Sequence, residues 1–249
     1  MAEALNELIE MSRELGNPAH DYVILGEGNT SVVAEADSFW VKASGTQLIQ
    51  ACRDSFVRVR SQPILDALAS GTLDDAQVQQ LLKAATVEGQ RTPSIETFLH
   101  ALCLRLEGVR FVGHTHPTVA LGLLAGQRSR ELFCGNLFPD QIVLLGPAFV
   151  YVPYEDPGLP LALAVQRGID DFIAQQGRVP RVILMENHGV IALGATASAV
   201  LNITQMLVKT CRVLAGTLAA GGPRWLTAAN VERIDRRPDE LARRRDLSR

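Results

Sequence analysis

The sequence predicts an α/β protein built on a mixed, largely antiparallel sheet with helices on both faces. Apolar β-branched runs are more numerous than a repeated strand–helix–strand order would supply, and stretches with apolar residues at helical spacing lie between them. With 249 residues the chain can bury a large core. Because no Gly/Ser/Pro-rich linker or internal repeat interrupts it, we expect one domain over residues 1–249, with a flexible tail from about residue 230.

The first half of the chain opens with an amphipathic helix. Leu5, Leu8 and Leu15 recur near helical spacing with acidic residues between them, which is not the pattern of a secretory signal. Glycine, asparagine and aspartate residues then divide a meander of short apolar runs. The predicted strands cover residues 22–25, 31–34, 39–43 and 56–60, and the predicted helices cover residues 63–69, 74–85 and 94–106.

The second half alternates strands and helices. A predicted strand at residues 109–114 follows the preceding helix directly. After it come helices at 119–125 and 159–176, strands at 142–145 and 149–152, a hairpin at 182–193, and a long helix from Thr196 to about Ala219.

Charge and hydropathy exclude several classes of partner. A formal charge of −3 provides no large cationic surface for nucleic acid, and no apolar run is long enough to span a bilayer. We therefore expect a soluble, cytoplasmic protein that acts on a small molecule. Near the C-terminus arginines are interleaved with acids, which indicates a solvated helix or a frayed end, with an electrostatic contact to a neighbouring subunit as the alternative. These arginines are Arg236, Arg237, Arg243, Arg244, Arg245 and Arg249.

Three of the five histidines stand where they could hold a divalent metal ion. His114 and His116 flank Thr115, and residues i and i+2 of a strand point to the same face. The pair could therefore reach one ion through Zn–N bonds of about 2.0–2.1 Å. A short Asn-His-Gly turn between two apolar runs projects His188 as the best candidate for a third ligand. The alternative for the pair is one buried and one solvated imidazole with no ion.

Two loops offer hydrogen-bond donors for an anion. The segment GEGNTS at residues 26–31 has backbone N–H groups, an amide and two hydroxyls, but it lacks the GxGxxG and Walker patterns of nucleotide sites. Its alternative role is a glycine-rich hairpin turn. At residues 42–46, KASGT, a strand ends and a helix is predicted to begin, which makes either an anion pocket or an ordinary N-cap.

The segment TPSIE at residues 92–96 opens the predicted helix that ends at Leu106. Ser94 is the predicted cap, and a glutamate in the first turn, Glu96, gains about 0.3–1 kcal/mol from the helix dipole. A carboxylate beside a metal-bound substrate also shuttles protons, which is the work of general acid/base catalysis. His100 lies one turn further on the same face, where it orients Glu96, packs beneath the sheet or adds a fourth ligand.

Taken in order, the segments GNTS, KASG, PSIET, HTHP and NHG resemble the motifs of the class II aldolase/adducin family, over about residues 6–215. The resemblance implies a three-layer α/β/α fold, a homotetramer with active sites at subunit contacts, and one divalent metal ion per subunit. That ion is usually zinc, with Mn²⁺, Co²⁺, Fe²⁺ or Mg²⁺ as alternatives. By motif position, the metal ligands are His114, His116 and His188, the catalytic acid/base is Glu96, and the groups for the substrate's phosphate are Asn29, Ser44, Gly45 and Ser94.

The chain departs from the family pattern before the glutamate. Many aldolases carry two adjacent serines there, whereas Ile95 follows Ser94 in this chain, which removes one phosphate hydroxyl. Lys42 supplies a charge that compensates in part, or else it is a solvated lysine at a strand end. The family also uses a tyrosine from a neighbouring subunit, a part that Tyr151, Tyr154 or neither takes here.

The resemblance implies a lyase that cleaves or forms a carbon–carbon bond of a sugar phosphate, or of a related keto or hydroxy substrate such as a keto acid, through a metal-stabilised enediolate. A decarboxylase of a 3-keto sugar acid phosphate or a 4-epimerase would use the same site. A non-catalytic adducin-like interaction domain would be expected to lack a ligand histidine or the glutamate, and all four residues are present. A metallohydrolase that activates a zinc-bound water would require a second acidic residue or a second metal site, and neither is evident in the sequence.

Overall fold

The centre of the protein is a mixed, mostly antiparallel sheet, as the sequence predicts. The computed structural model describes residues 2–35 and 37–247, and within them the strands are β1 (Asn29–Glu35), β2 (Ser38–Lys42), β3 (Phe56–Arg60), β4 (Thr86–Glu88), β5 (Phe111–Thr115), β6 (Val150–Val152), β7 (Val182–Met185) and β8 (Gly189–Gly194). They lie in the order β4-β3-β2-β1-β5-β8-β7-β6. β6 and β7 run parallel, and the other neighbouring strands of this described sheet run antiparallel.

Helices cover both faces of the sheet, which gives the three-layer α/β/α fold. In the described residues they are α1 (Ala2–Leu15), α2 (Ser61–Ser70), α3 (Asp75–Ala85), α4 (Thr97–Leu104), α5 (Thr118–Leu124), α6 (Ser129–Leu132), α7 (Pro139–Leu145), α8 (Leu159–Gln176), α9 (Ala197–Ala219), α10 (Ala228–Arg236) and α11 (Pro238–Leu247). One apolar core joins the sheet to α2, α3, α4 and α8, and a second joins the other face to α1, α5, α7 and α9. β7 shows the division, since Ile183 and Met185 enter the first core while Val182 and Leu184 enter the second.

Local sequence signals explain where several elements begin. Asp74 before α3 and Thr196 before α9 each accept, through the side chain, a backbone N–H from three residues later. The helices predicted at 63–69, 74–85, 159–176 and from 196, and the hairpin at 182–193, are confirmed. None of the described helices has both the length and the hydropathy that a membrane crossing requires.

The predicted strand at residues 22–25 is wrong, because the backbone turns there instead of extending. Leu25 has a φ of +51°, and Glu27 donates its N–H to the Ile24 carbonyl at 3.0 Å. Tyr22 and Val23 are buried in the second core, whereas Ile24 and Leu25 are 61% and 75% exposed, so the run does not have the alternating burial of a strand. The GEGN loop therefore leads into β1 from an irregular segment and is not a hairpin turn.

The predicted strand at residues 142–145 is also wrong, because these residues end α7. Pro139 occupies the first turn of that helix, where its missing N–H removes no helical hydrogen bond. The four apolar residues are all buried. Hydrophobic periodicity alone does not distinguish a buried strand from a short buried helix. The prediction fails because the apolar run of residues 142–145 is only four residues long and fits both.

Two predicted helix starts lie elsewhere. α4 begins at Thr97, so Glu96 occupies the N-cap position and not the first turn, and Ser94 Oγ accepts the Glu96 N–H at 3.3 Å instead of capping the helix. In the described segment after β2 no helix begins at residues 44–46, because Gly45 has a φ of +74°. A 3₁₀ turn follows only at Leu48–Gln50.

The arginine-rich C-terminal segment packs against α7. Arg244 donates to the Val143 carbonyl and to the Asp235 carboxylate, both at 2.8 Å. Arg243 pairs with Asp140 at 2.7 Å. These arginines therefore contact their own chain, while Arg249 lies outside the described residues.

Candidate metal centre

Three central strands meet at one end of the sheet and form the candidate site. β1 runs antiparallel to β5 and pairs Asn29 with His114, and β8 pairs with the other side of β5. β1 and β8 therefore begin where β5 ends. His116 lies just beyond β5, and its N–H donates to the Tyr22 carbonyl at 2.9 Å. The irregular segment before β1 thus fixes the backbone of the second histidine.

The turn between β7 and β8 carries His188 to the same place. Asn187 takes the left-handed conformation, with a φ of +54°, and projects the next residue toward β5. At Gly189 a Cβ atom would lie 2.6 Å from His116 Cδ2 and 2.7 Å from the Thr115 carbonyl oxygen. The glycine of the Asn-His-Gly turn is therefore required by the close approach of β8 to the histidine ring.

The structure brings the side chains of His114, His116 and His188 together. His114 Nε2 lies 2.9 Å from His116 Nε2 and 3.2 Å from His188 Nε2, and the candidate ligand atoms all lie within 4.8 Å of one another. Two nitrogens at Zn–N bonds of about 2.0–2.1 Å are about 3.3 Å apart around a tetrahedral ion. The cluster opens to solvent at His116, whose side chain is 19% exposed against 1% for His114.

The hydrogen bond of His114 decides which of its nitrogens faces the cluster. His114 Nδ1 lies 3.0 Å from the Val190 carbonyl oxygen, which can only accept, so Nδ1 carries the proton of the neutral ring. Its Nε2 then presents a lone pair to the other two rings. Metal-ligating histidines usually donate their other ring N–H to a carbonyl or carboxylate in this way, which sets the tautomer. The donor set therefore fits a cation.

Glu96 lies at the edge of the three rings. Its Oε1 is 2.9 Å from His188 Nε2 and 3.5 Å from His114 Nε2, and its Oε2 accepts a hydrogen bond from the Asn29 side-chain amide. Burial raises the pKa of Glu96, but His114 and His188 outweigh it by charge and hydrogen bonding and hold the pKa well below 4.5. In the same way burial lowers the pKa of His114, and the Glu96 charge reverses the shift and raises it.

Two other rings are held uncharged. Burial, and then the charges of His114 and His188, lower the pKa of His116 to about 3. Burial, followed by the charge of His114, also lowers the pKa of His100 to about 3. His100 lies beneath the sheet with Nδ1 2.6 Å from Ser31 Oγ on β1. It therefore links α4 to the strand that carries Asn29.

Comparison with known families identifies the chain. The family described as class II aldolase and adducin N-terminal domain matches residues 6–215. The chain belongs to the class II aldolase/adducin family. The resemblance read from the five motifs is confirmed over the residues predicted for it, 6–215.

Individual relatives are distant. The protein named uncharacterized oxidoreductase YuxG, from Bacillus subtilis strain 168, is 24% identical over 220 residues, and the match covers 84% of this chain but 29% of YuxG. The structure of an L-fuculose 1-phosphate aldolase has a TM-score of 0.72 at 18% identity and covers 94% of this chain and 95% of its own. YgbL from Klebsiella pneumoniae, whose name leaves aldolase, epimerase and decarboxylase open, has a TM-score of 0.71 at 20% identity, with 94% and 98% covered. Both structures share the class II aldolase fold with this chain.

Lys42 connects the loop of the GNTS motif to the loop of the KASG motif. Its Nζ donates to the Gly26 carbonyl at 3.1 Å and to the Thr46 carbonyl at 2.6 Å. Lys42 is 2% exposed, so the alternative of a solvated strand-end lysine is wrong. Burial lowers its pKa to about 8, although the Glu96 charge opposes this shift.

The residues predicted to bind phosphate fall into two groups. Ser44 and Gly45 are exposed in the turn after β2, and the Ser44 N–H donates to the Thr92 carbonyl at 2.9 Å, which brings the segment of Ser94 alongside. Asn29, by contrast, is buried against the Glu96 carboxylate. Ser44 and Gly45 therefore face solvent, whereas Asn29 contacts the carboxylate of Glu96.

Sequence reasoning missed Glu27 as a residue of this site. Its Oε1 lies 4.0 Å from His116 Nδ1. The pairing of Asn29 with His114, continued by two residues on each antiparallel segment, places residue 27 opposite residue 116. The signal was present in the GEGN and HTH motifs, but only the register between them reveals it.

The two candidate tyrosines differ in their surroundings. The Tyr151 hydroxyl is hydrogen bonded to Ser129. Tyr154 is 53% exposed, and its hydroxyl donates to Asp156 at 3.1 Å. Tyr154 therefore offers the larger surface to a neighbouring molecule.

Proposed function

We propose that this protein is a divalent-metal-dependent aldolase, a carbon–carbon lyase that cleaves or forms a bond of a sugar phosphate or a related keto or hydroxy compound. The observation that carries the proposal is the meeting of three imidazoles with a buried carboxylate, Glu96, 2.9 Å from His188 and 3.5 Å from His114. Membership of the class II aldolase/adducin family and the fold shared with an L-fuculose 1-phosphate aldolase support it.

His114, His116 and His188 would hold the ion, one per subunit. Three neutral imidazoles suit Zn²⁺ and also Mn²⁺, Co²⁺ or Fe²⁺, whereas Mg²⁺ prefers oxygen ligands and fits this set least. When bound, such an ion supplies Lewis-acid chemistry, since it polarises a carbonyl and stabilises the negative charge that bond cleavage leaves beside it.

Glu96 would carry the proton. Its depressed pKa keeps it ionised at neutral pH, so it is ready to accept a proton from the substrate and to return it to carbon. The Asn29 amide holds one carboxylate oxygen, which leaves the other facing the histidines. The pair therefore fixes where the proton is transferred.

The exposed turn at Ser44 and Gly45, together with Ser94, would hold the far end of the substrate. A phosphate or carboxylate resting there would determine which carbon faces Glu96. Lys42 would support this turn and not meet the anion directly, because two carbonyls already engage its ammonium.

A decarboxylase of a 3-keto sugar acid phosphate and a 4-epimerase are the alternatives, because either would use the same ion and carboxylate. The fold shared with YgbL is compatible with both activities, since the name of that protein includes epimerase and decarboxylase. The non-catalytic adducin-like role is less favoured, since its expected loss of a ligand histidine or of the glutamate is not seen in this chain.

We also propose, from the family resemblance, that residues 1–249 form one domain and that the chain works as a cytoplasmic homotetramer. The single sheet of the described residues supports the first point. Light scattering on the purified protein tests the second, against the mass of 27.0 kDa for one chain.

Metal analysis and a substrate screen test the proposed reaction. Purified protein should contain close to one divalent ion per chain, and His116→Ala should lose it. Glu96→Gln should keep the ion but lower turnover about 10²–10⁴-fold on the best of a panel of phosphorylated and unphosphorylated ketoses and keto acids. Glu107→Gln, an exposed glutamate beyond α4, is the matched control and should behave as wild type. A wild type that binds no metal, or full activity in Glu96→Gln, would contradict the proposal.

A further inference from the structure

We propose that Glu27 is a positioning residue for His116, whose Nδ1–H it attracts so that Nε2 is left without a proton and faces the cluster. The inference rests on the proposed metal-dependent function and names a residue that the family motifs do not assign. Glu27 Oε1 lies 4.0 Å from His116 Nδ1, on the side of the ring that faces away from His114.

A tight turn holds the Glu27 carboxylate in place. The Glu27 N–H donates to the Ile24 carbonyl at 3.0 Å, and the Ile24 N–H donates back to Glu27 Oε2 at 3.0 Å. The next residue, Gly28, lies so close to β5 that a Cβ atom would be 2.7 Å from the His114 carbonyl oxygen. Lys42 also anchors the loop through Gly26. With one oxygen engaged in the turn, the other is directed at His116.

The tautomer of His116 is what this carboxylate would control. In the neutral ring, which is the form that binds a cation, His114 Nε2 carries a lone pair because the Nδ1–H is held by a carbonyl, and this Nε2 lies 2.9 Å from His116 Nε2. Without another influence, a neutral His116 would place its proton on Nε2 and donate it to His114. A ring protonated in that way cannot bind a cation through Nε2. A negative charge beside Nδ1 favours the opposite tautomer, in which Nε2 is the ligand atom.

Charge is the property of Glu27 that matters here. A separation of 4.0 Å is within ion-pair range but beyond a hydrogen bond, so a neutral amide in the same position would not reproduce the effect. Glutamine can nevertheless accept the Ile24 N–H, so Glu27→Gln should preserve the turn. This substitution therefore separates the electrostatic role from the structural one.

Zinc affinity tests the proposal. Competition with a chromophoric chelator should show Zn²⁺ binding about 10–100-fold weaker in Glu27→Gln than in wild type. The visible spectrum of the Co²⁺-substituted variant should also change. Glu14→Gln is the matched control, because Glu14 lies 2.6 Å from His20, a histidine outside the cluster, and its loss should leave zinc affinity unchanged.

The melting temperature of the metal-free protein completes the experiment. It should differ by no more than about 2 °C between Glu27→Gln and wild type. Equal zinc affinities in the two proteins would overturn the role of Glu27 while leaving the proposed function intact. A fall in affinity that is matched by a fall in metal-free stability would also overturn it, since Glu27 would then serve only the turn. A wild type that binds no zinc would remove both the proposed function and this inference.

Discussion

Substituting Gly189 by alanine should damage the metal centre through a single added methyl group. The glycine backbone does not lie in the left-handed region, so alanine meets no conformational strain there and the obstacle is steric. The new Cβ would lie 2.6 Å from His116 Cδ2, whereas ordinary contact begins at about 3.4 Å, so the ring must move by about 0.8 Å. The Thr115 carbonyl, 2.7 Å from the same Cβ, cannot move without opening the pairing of β5 and β8.

The size of this displacement determines the loss of affinity. Metal–ligand distances tolerate deviations of about 0.2 Å, so a shift of about 0.8 Å takes His116 out of the coordination sphere. Loss of one of three protein ligands should exceed the effect of losing a group that only orients a ligand, and we expect zinc affinity to fall at least about 100-fold. Overpacking should also lower the free energy of unfolding by about 1–3 kcal/mol.

Chelator competition measures the affinity, and thermal melting of the metal-free protein shows whether Gly189→Ala is folded. The control is Gly122→Ala on α5, where a Cβ would meet no heavy atom within 4 Å, and which should leave zinc affinity unchanged. Folded Gly189→Ala with zinc affinity within about threefold of wild type, a difference of about 0.7 kcal/mol, would refute the argument. The glycine would then not be what allows His116 to take its place.

Two further predictions concern the groups around the centre. Lys42→Met leaves the Gly26 and Thr46 carbonyls without their donor and should lower the free energy of unfolding by about 1–3 kcal/mol in urea denaturation. The pKa of His100 is about 3 in the fold and about 6.5 in the unfolded chain, so stability is full above pH 6.5 and declines as the pH falls. Between pH 7 and pH 5 metal-free wild type should lose about 2 kcal/mol more than His100→Gln, and parallel curves would contradict this.

Hydrophobic periodicity predicts most of the fold because most elements bury one face. α8, α9 and the β7–β8 hairpin each have a pattern that only one type of element can bury. Periodicity fails where a run is short. Residues 142–145 are apolar throughout and fit a strand as well as a helix, and Pro139 decides between them. Residues 22–25 have β-branched and aromatic side chains, but they form a loop whose carbonyl at Tyr22 holds His116.

The order of the motifs identifies the residues of the candidate site but not the distances between them. The histidines can be named from the sequence because their type and spacing suit a metal centre, and Glu96 can be named because the order of the motifs resembles that of the family. Their distances depend on strand register, which no single segment contains. For this reason the sequence does not predict that Glu27 lies beside His116. It does not predict the burial of Lys42 either, because that burial depends on two loops that close over one side chain.

Each of the three histidines is held by a different backbone constraint, and together these constraints explain how distant segments can meet with the precision that a metal ion demands. His114 is fixed by strand pairing and by its bond to the Val190 carbonyl. His116 is fixed through the Tyr22 carbonyl, and His188 by a turn that only glycine allows to approach β5. None of these supports is a mobile surface side chain. The backbones of the three histidines are therefore placed before any ion arrives, and their ring nitrogens lie close together beside a carboxylate, an arrangement that a cation would stabilise.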